Sequence, residues 1–315
     1  MTDFDPSARR LSSSNGSAGP EHSPDPEAAP SATPLDSSSS FVVQFWGVRG
    51  SIPTPGSTTI RYGGNTSCVE MRVAGKRLIF DGGTGLRVLG QDLLQQELLE
   101  AHLFFTHSQW DRIQGFPFFY PAFVKGNCFH VYGATAQNGA SIKQRLTDQM
   151  LRPNFEVPIH TMQSDLKFHD LVPGDTIALE DVTIETGPLN QPNRAIGYRV
   201  TWQGHCAVYA TDTEPSVHRL DPNLLYLARQ ADLLIYDATY DELSPSSSKS
   251  LAIAGGHSTW QSGIEVAKAA GVKQVIMFHH DPAHNDDFLD QVEAQVQAAF
   301  PAGLLAREGM QLQIA

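Results

Sequence analysis

The amino-acid sequence predicts an α/β protein built from two packed β-sheets with helices on their outer faces. Short apolar runs of strand length recur from residue 41 almost to residue 315. Some of these runs follow one another directly, and others are separated by segments with helical periodicity, which indicates mixed sheets. Because the pattern occurs in two successive halves, we expect both sheets to belong to one domain.

The first 40 residues are expected to form a disordered tail, and residues 41–315 the folded domain. Ser, Pro, Ala, Asp and Glu dominate residues 1–40, and large apolar side chains are almost missing from them. A segment of this composition cannot bury enough apolar surface to offset the entropy lost on ordering. It has neither the apolar core of a secretory signal nor the basic character of an organellar transit peptide.

The first half of the domain is expected to start with three strands. They are FVVQFWGV, CVEMRVA and KRLIF, and an AGK turn joins the last two as a hairpin. The segment FDGGTGLRVLGQDLL changes from strand through glycines into a helical pattern, and AHLFF is the next strand. A further strand and helix follow, in NCFHVYG and ASIKQRLTDQML.

The second half is expected to open with a run of strands, VTIETG, AIGYRVTW and CAVYAT. A strand, helix and strand follow in ADLLIYDA, STWQSGIEVAKAAG and VKQVIMF. The final amphipathic helix is HNDDFLDQVEAQVQAAF.

Composition narrows the classes of function. A net charge of −12 and a pI near 5.4 argue against nonspecific binding to nucleic-acid backbones or anionic membranes. No apolar run reaches the roughly eighteen residues that a membrane helix needs. The three cysteines are far apart and form no CxxC pair, so neither a disulfide framework nor a thiolate zinc site is expected. We therefore expect a soluble protein of the reducing cytoplasm.

Polar residues of ligand type follow several of the predicted strands. His107 and Asp111 come after AHLFF, Asp212 after CAVYAT, His257 after a Gly-Gly pair and His279 after VKQVIMF. Loops at strand ends are where catalytic and binding groups gather on a rigid scaffold. Any one of these residues is also compatible with ordinary capping or hydrogen bonding. Their joint pattern predicts a functional site.

Eight segments of the chain carry a family resemblance: FWGVRGSIPTPG, RYGGNTSCVE, LIFDGGTGLRVLG, THSQWDRIQGFPFF, GPLNQPNRAIGYRV, YATDTEP, GGHSTW and MFHHDPAHNDD. Their order resembles the metallo-β-lactamase fold, in its ribonuclease Z and cyclic phosphodiesterase-like branch. The resemblance covers residues 41–315 and implies an αββα sandwich whose sheet edges hold two metal ions, usually zinc or manganese. In this family a hydroxide that bridges the two ions attacks a phosphodiester.

The resemblance also implies which residues form the site. The family's metal ligands fall on His107, Gln109, Asp111, Arg112, Gln191, Asp212 and His279. His257 corresponds to the family histidine that is thought to donate a proton to the leaving group. Asp111 and His257 are therefore the expected catalytic residues, and Gln109, Arg112 and Gln191 replace expected histidines.

The first metal position keeps only His107 and Asp212 beside Gln109 and Gln191. An amide oxygen is a neutral, hard donor that suits calcium or magnesium better than zinc. We expect this position to be empty or weakly filled.

The second metal position keeps Asp111, Asp212 and His279, but Arg112 cannot coordinate a cation. One alternative is that Arg112 pairs with the two carboxylates in place of a metal. Another is that it turns outward, either leaving a three-ligand site or lying on the surface at a helix start. An arginine here is also similar to some cyanobacterial-type members of the family.

Two further segments have structural alternatives. DGGTG, residues 81–85, is either an anion-binding nest or a tight turn in which Asp81 hydrogen-bonds to the backbone or a neighbouring strand. We expect the structural role. His280 and His284 are expected to be solvated residues that open a helix rather than accessory ligands.

Three functional hypotheses follow, of which the third, a small-molecule binding module that uses the same cleft, differs from the first only in having a specific ligand. The first is a non-catalytic or strongly attenuated relative of the hydrolases, retained as a binding or regulatory protein. The second is an active phosphodiesterase with one ion at Asp111, Asp212 and His279, in which Arg112 contacts phosphate and His257 is the general acid. We expect one weakly held zinc or manganese ion or none, a phosphodiester or nucleotide ligand, no membrane association and, by resemblance, a homodimer.

Overall fold

A computed structural model describes residues 40–96, 98–191, 194–214, 219–239 and 257–315. The predicted tail lies outside these residues, except for Ser40. The strands of the described part are β1 Phe41–Gly47, β2 Cys68–Val73, β3 Lys76–Phe80, β4 Glu100–Phe105, β5 Cys128–Ala134, β6 Asp165–Leu171, β7 Thr176–Leu179, β8 Val182–Pro188, β9 Ile196–Trp202, β10 His205–Ala210, β11 Leu233–Asp237, β12 Gln274–Phe278, β13 Gly303–Leu305 and β14 Gln311–Gln313. Its α-helices are α1 Thr84–Leu93, α2 Trp110–Ile113, α3 Ile142–Asp148, α4 Pro222–Ala228, α5 Trp260–Ala270 and α6 Asp286–Ala299.

The strands form two mixed seven-stranded sheets, as predicted. The first sheet has the order β14-β1-β2-β3-β4-β5-β6, and the second has the order β13-β12-β11-β10-β9-β8-β7. In the first sheet the pairs from β14 to β3 are antiparallel and those from β3 to β6 are parallel. In the second sheet β10 to β13 are parallel and β7 to β10 antiparallel. Each sheet therefore has a parallel part whose strands end at a common edge.

Three apolar clusters hold the layers together. The central cluster lies between the sheets and takes Phe80 and Phe104 from the first and Val200 and Ile276 from the second. A second cluster packs α4, α5 and α6 on the second sheet. The third packs α1 and α3 on the first sheet. The layers therefore run helix, sheet, sheet, helix, which confirms the predicted αββα sandwich.

Local sequence explains the main turns. The hairpin between β2 and β3 turns at Ala74 and Gly75, and both residues have positive φ. A two-residue hairpin turn requires this backbone conformation to match the twist of its strands. Side chains of Ser141 and Thr259 cap the starts of α3 and α5, and Gly271 ends α5 in the left-handed conformation.

Several elements were not predicted: β6, β7, α4, β13 and β14. They are short or lie at or next to the sheet edges. Within the described residues, no helix is both long and apolar enough to cross a membrane.

Candidate functional site

The polar residues of the cleft lie at or just beyond the ends of parallel strands. Asp81 follows β3, His107 follows β4, Asp212 follows β10 and His279 follows β12, while Asp237 is the last residue of β11. Asp81, Asp212 and His279 have φ values of 59°, 57° and 65°. Few side-chain-bearing residues adopt this left-handed backbone. At each of these positions the backbone turns away from its strand. Asp81 follows a strand of the first sheet, and Asp212 and His279 follow strands of the second, so side chains from both sheets meet in one cleft.

Arg112 lies at the centre of the cleft, on α2, and has no exposed surface. Its guanidinium donates to Asp81 Oδ2 over 3.0 Å and also to a carboxylate oxygen of Asp212. It further contacts Tyr209 Oη at 3.1 Å, and its Nε lies 3.4 Å from Asp111 Oδ2. Of the alternatives for this side chain, the outward ones are wrong: Arg112 is a buried cation paired with carboxylates.

These contacts set the protonation of the cluster. Burial acts to lower the pKa of Arg112, but the charges of Asp212 and Asp81 outweigh it and raise the pKa. Burial acts to raise the pKa of Asp212, and Arg112 reverses this and lowers it well below the usual range. Burial dominates at Asp81 and raises its pKa. Arg112 and Asp212 are therefore an ion pair at neutral pH.

Asp81 has the predicted structural role. Its Oδ1 accepts the backbone N–H of Thr106 over 2.8 Å, beyond the end of the neighbouring strand β4. Its Oδ2 accepts from Tyr209 over 2.9 Å. The glycine turn that follows packs closely on α2, because Gly82 N donates to Arg112 O over 2.6 Å and Gly115 N to Gly82 O over 2.8 Å. This turn therefore holds Arg112 in place.

His279 and Asp111 form a direct pair. His279 Nε2 lies 2.9 Å from Asp111 Oδ2, and His279 Nδ1 lies 2.8 Å from Thr239 Oγ1. Burial acts to raise the pKa of Asp111, but the hydrogen bond from His279 and the charge of Arg112 lower it below the usual range. Ser51 N approaches the same oxygen of Asp111 at 3.3 Å.

His257 lies between two carboxylates. Its Nδ1 is 3.0 Å from Asp237 Oδ2 and 3.3 Å from Asp212 Oδ1, and its ring stacks on that of His279. Burial acts to lower the pKa of His257, but Asp237 and Asp212 outweigh it and raise the pKa to about 9. The imidazole is therefore protonated at neutral pH and can donate a proton.

His107 and Gln109 lie together at one side of the cleft, where the resemblance implies metal-binding imidazoles. His107 is buried, with Nδ1 3.0 Å from Thr106 Oγ1 and Nε2 4.0 Å from Asp212 Oδ1. Gln109 precedes α2 without capping it by a side-chain bond, and Gln191 is buried. A cavity of about 480 Å³ adjoins this side and is lined by His107, Ser108, Gln109, Ala136, Gln137, Asn138 and Arg145.

One group of metal-ligand type in this cleft includes a residue that the sequence analysis missed. Ligand atoms of Asp212, Asp237, His257 and His279 lie within 4.8 Å of one another among the described residues. Asp237 lies at the end of the strand ADLLIYDA, and Asp212 lies just after the strand CAVYAT. A carboxylate at the end of a predicted strand is the sequence signal that could have identified Asp237. Asp111 is not in this group.

The histidines after His279 differ from expectation. His280 is buried and its Nε2 lies 2.8 Å from Ala306 O, and His284 is also buried, so the prediction that both are solvated is wrong. The buried Arg49 explains the local packing, because its guanidinium donates to His284 O over 2.7 Å and to Gly63 O over 2.8 Å. This segment is tied to the loop after β1.

Comparison with known proteins identifies the family and the fold of the chain. A family profile described as "Beta-lactamase superfamily domain" matches residues 76–280, which is more than half of the chain. The chain belongs to this superfamily. The matched region includes β3 to β12 and the cleft residues from Asp81 to His279.

The curated relatives point to the ribonuclease Z branch, as predicted. A ribonuclease Z from Brevibacillus brevis is 37% identical over 131 residues, which is 40% of this chain and 38% of that protein. A cyanobacterial ribonuclease Z, from Synechocystis sp., is 31% identical over 158 residues, 47% of this chain and 41% of that protein. These matches span about two fifths of the length of each relative.

Solved structures match over most of the chain. The short form of human tRNase Z superimposes with a TM-score of 0.62 and 20% identity, covering 87% of this chain and 99% of that one. The metallo-beta-lactamase fold protein YhfI from Bacillus subtilis gives a TM-score of 0.63 and 18% identity, covering 86% and 99%. At this identity the likeness concerns the fold, which is a metallo-β-lactamase fold.

Proposed function

We propose that this chain is a ribonuclease Z-like protein that has lost two-ion phosphodiester hydrolysis, or keeps only a trace of it, and serves as a binding or regulatory protein. The observation that carries this proposal is the position of Arg112. A family hydrolase needs two cations among its carboxylates, whereas here a fixed guanidinium lies between Asp81, Asp111 and Asp212.

The electrostatics of that position oppose a second cation. Two unit charges about 4 Å apart repel by about 4 kcal/mol at an effective dielectric constant near 20, and a divalent ion doubles this. Asp212 already shares its charge with Arg112 and His257. A metal ion that approached Asp212 would therefore compete with two cations that are already in place.

The amides support the same conclusion. Zinc prefers imidazole and thiolate ligands, whereas a neutral amide oxygen suits harder ions. Gln109 and Gln191 offer carboxamide groups at positions where the resemblance implies imidazoles. The amides therefore argue against a pair of zinc ions, and Arg112 opposes a second cation of any kind.

The cavity beside Gln109 supports retention of a ligand-binding role. Its lining combines the amides of Gln109, Gln137 and Asn138 with Arg145, and these are groups that hydrogen-bond to phosphate and nucleobase edges. A phosphodiester or a nucleotide is the ligand class that fits this lining.

A second candidate function is a hydrolase with one ion, favoured by the group of Asp212, Asp237, His257 and His279. These residues would hold the ion, which would polarise a phosphate oxygen or a water molecule. A ligating histidine must be neutral, however, while a general acid must be protonated. His257 therefore cannot fill both roles at once. Direct contact of Arg112 with phosphate would also require the guanidinium to leave its carboxylate partners.

Metal content and restoration of the histidines test the proposal. We expect the purified wild type to hold no pair of transition-metal ions in the cleft and to leave a generic phosphodiester uncleaved with added zinc or manganese. The variant Gln109→His, Gln191→His, Arg112→His should gain two ions per chain, measured by elemental analysis, and hydrolytic activity.

The same variant with Asp212→Ala is the matched control, because it should lose both gains. Two tightly bound ions in the wild type that disappear in Asp212→Ala alone would contradict the proposal. Cleavage by the wild type with one ion, abolished by His257→Ala or Asp237→Asn, would instead support the one-ion hydrolase.

A further inference from the structure

A second group of ligand-type side chains lies at the other end of β4 and β5. Glu100 is directly opposite Cys128 in the parallel pairing of these strands, and His102 is opposite His130. Glu100 is the first residue of β4, whereas His107 of the cleft lies just beyond the other end of that strand. Since a strand rises about 3.3 Å per residue, this group and the cleft are about 20 Å apart.

The side chains on this face of the first sheet change from polar to apolar along β4 and β5. Side chains two residues apart in a strand share a face, so His102 lies with Phe104, and His130 with Tyr132. Phe104 and Tyr132 belong to the core between the sheets. Towards the start of the same strands the face consists of carboxylate, thiol and imidazole groups instead, which are zinc-ligand types.

The three groups are close enough to share one ion. Ligand atoms of Glu100, Cys128 and His130 lie within 4.8 Å of one another. His130 Nε2 is 3.5 Å from Glu100 Oε1. Zinc bonds of about 2.0–2.1 Å in a tetrahedral arrangement place a nitrogen and an oxygen ligand about 3.3 Å apart. The observed separation is therefore near the one that a shared ion requires.

The ring of His130 is held by a second histidine. Its Nδ1 lies 3.1 Å from His169 Nε2 of β6, and its ring packs against that of His102 with centroids 4.8 Å apart. A metal-binding imidazole characteristically donates its other N–H to a partner that fixes the ring. His169 occupies that partner position and leaves Nε2 of His130 directed at Glu100.

Cys128 is available as a ligand. It is a free thiol with partial exposure, and it lies opposite Asp165 of β6 in the parallel pairing of β5 with β6. Zinc binds cysteine as the thiolate, so binding of the ion releases the thiol proton. The nearby ammonium of Lys167 lies 3.5 Å from Asp165 Oδ2 and pairs with that carboxylate.

We propose that Glu100, Cys128 and His130 form a site for a zinc-type divalent ion, with His169 as the residue that positions the His130 ring. Three protein ligands leave a fourth position for water. The site does not depend on the proposed function of the cleft. Cysteine spacing alone made a thiolate zinc site unexpected, because spacing cannot show that the pairing of β4 with β5 brings Glu100 next to Cys128.

Cobalt(II) titration under reducing conditions tests this site without interference from the cleft. A thiolate bound to cobalt gives a charge-transfer absorption in the near ultraviolet, and the residues of the cleft include no cysteine. We expect the wild-type protein to develop this absorption with one equivalent of cobalt and to lose it when zinc is added. Cys128→Ser should abolish it, and His130→Gln should weaken zinc binding by about tenfold or more.

The positioning role has its own readout. His169→Phe should weaken zinc binding by about ten- to a hundredfold, and His169→Gln, which keeps a hydrogen-bonding group, should restore much of the affinity. His160→Gln, in an exposed turn, is the matched control and should leave the titration unchanged. No absorption in the wild type, or absorption that survives Cys128→Ser in a folded variant, would overturn the proposal.

Discussion

Arg112 is a permanent cation that is fully enclosed by protein. Such a group is tolerated only when partners replace its water, and Asp81, Asp212 and Tyr209 do so here. The sequence shows an arginine next to Asp111, but it does not show which way the side chain points. The side chain points inward because Asp81, after β3, and Tyr209, in β10, bind its guanidinium. Both residues are distant in sequence, so spacing along the chain could not predict this contact.

Removal of this cation should cost stability. Arg112→Met is expected to lower the free energy of unfolding by about 3–5 kcal/mol, because it leaves buried carboxylates without a partner. Urea denaturation at neutral pH measures the loss. Arg87→Met, on the exposed face of α1, is the control and should change stability by less than about 0.5 kcal/mol. A loss of similar size in both variants would contradict a central role for Arg112.

Among the secondary-structure elements, buried strands were predictable and edge elements were not. β10, β11 and β12 each consist of an apolar run with one polar residue at an end, so their sequences alone indicate strands. β6 has the sequence DLKFHDL with mostly polar residues, and β14 has only three residues. These strands exist because β5 and β1 offer them hydrogen-bonding partners, which is tertiary information.

The glycine turn between β3 and α1 should be sensitive to a single added methyl group. A Cβ at Gly115 would lie 1.9 Å from Gly83 O, too close for the two segments to remain packed. Gly115→Ala is therefore expected to destabilise the protein by about 2 kcal/mol or more, by overpacking that also displaces α2. Thermal unfolding measures the effect.

Gly56→Ala is the control for that change. The nearest atom to a Cβ at Gly56 is Thr59 Oγ1 at 3.9 Å, which is ordinary contact. Its unfolding midpoint should stay near that of the wild type. Equal midpoints for the Gly56 and Gly115 variants would show that the close approach does not limit packing here.

Asp232, next to the start of β11, makes the stability of the protein depend on pH. Asp232 accepts from Cys206 N over 2.7 Å and from Lys273 Nζ over 2.6 Å. Partial burial acts to raise the pKa of Asp232, but these hydrogen bonds outweigh it and lower the pKa. The folded protein therefore binds this proton less readily than the unfolded chain does, so the stabilisation is present above about pH 4 and is lost as pH falls.

Asp232→Asn should reveal that contribution. At pH 7 the substitution is expected to lower the free energy of unfolding by about 1 kcal/mol, from one charge-assisted hydrogen bond and an exposed ion pair. The difference between wild type and variant should shrink as pH falls below about 4. Urea titrations at a series of pH values measure it, and a difference that grows towards acid would reverse the sign inferred for this carboxylate.

At the scale of the whole molecule, the sandwich and the cleft are separable features. The order of eight segments was enough to predict the fold, its two mixed sheets and the cleft at the strand ends. It was not enough to predict Asp237, or the second ligand group on β4 and β5, because both depend on which strands become neighbours. The tail boundary near residue 40, a cytoplasmic location and pairing into a homodimer stay predictions.

The exposure of one indole has a practical consequence. Trp110 begins α2 between Gln109 and Asp111 and is 61% exposed, whereas Trp202 and Trp260 are buried. The emission of this indole should thus be red-shifted and accessible to acrylamide, and it should respond to changes at the start of α2, where the neighbouring Gln109 lines the cavity. Trp110→Phe would remove that component from the spectrum. The intrinsic fluorescence of Trp110 can therefore be used to screen nucleotides and metal salts, without any added dye.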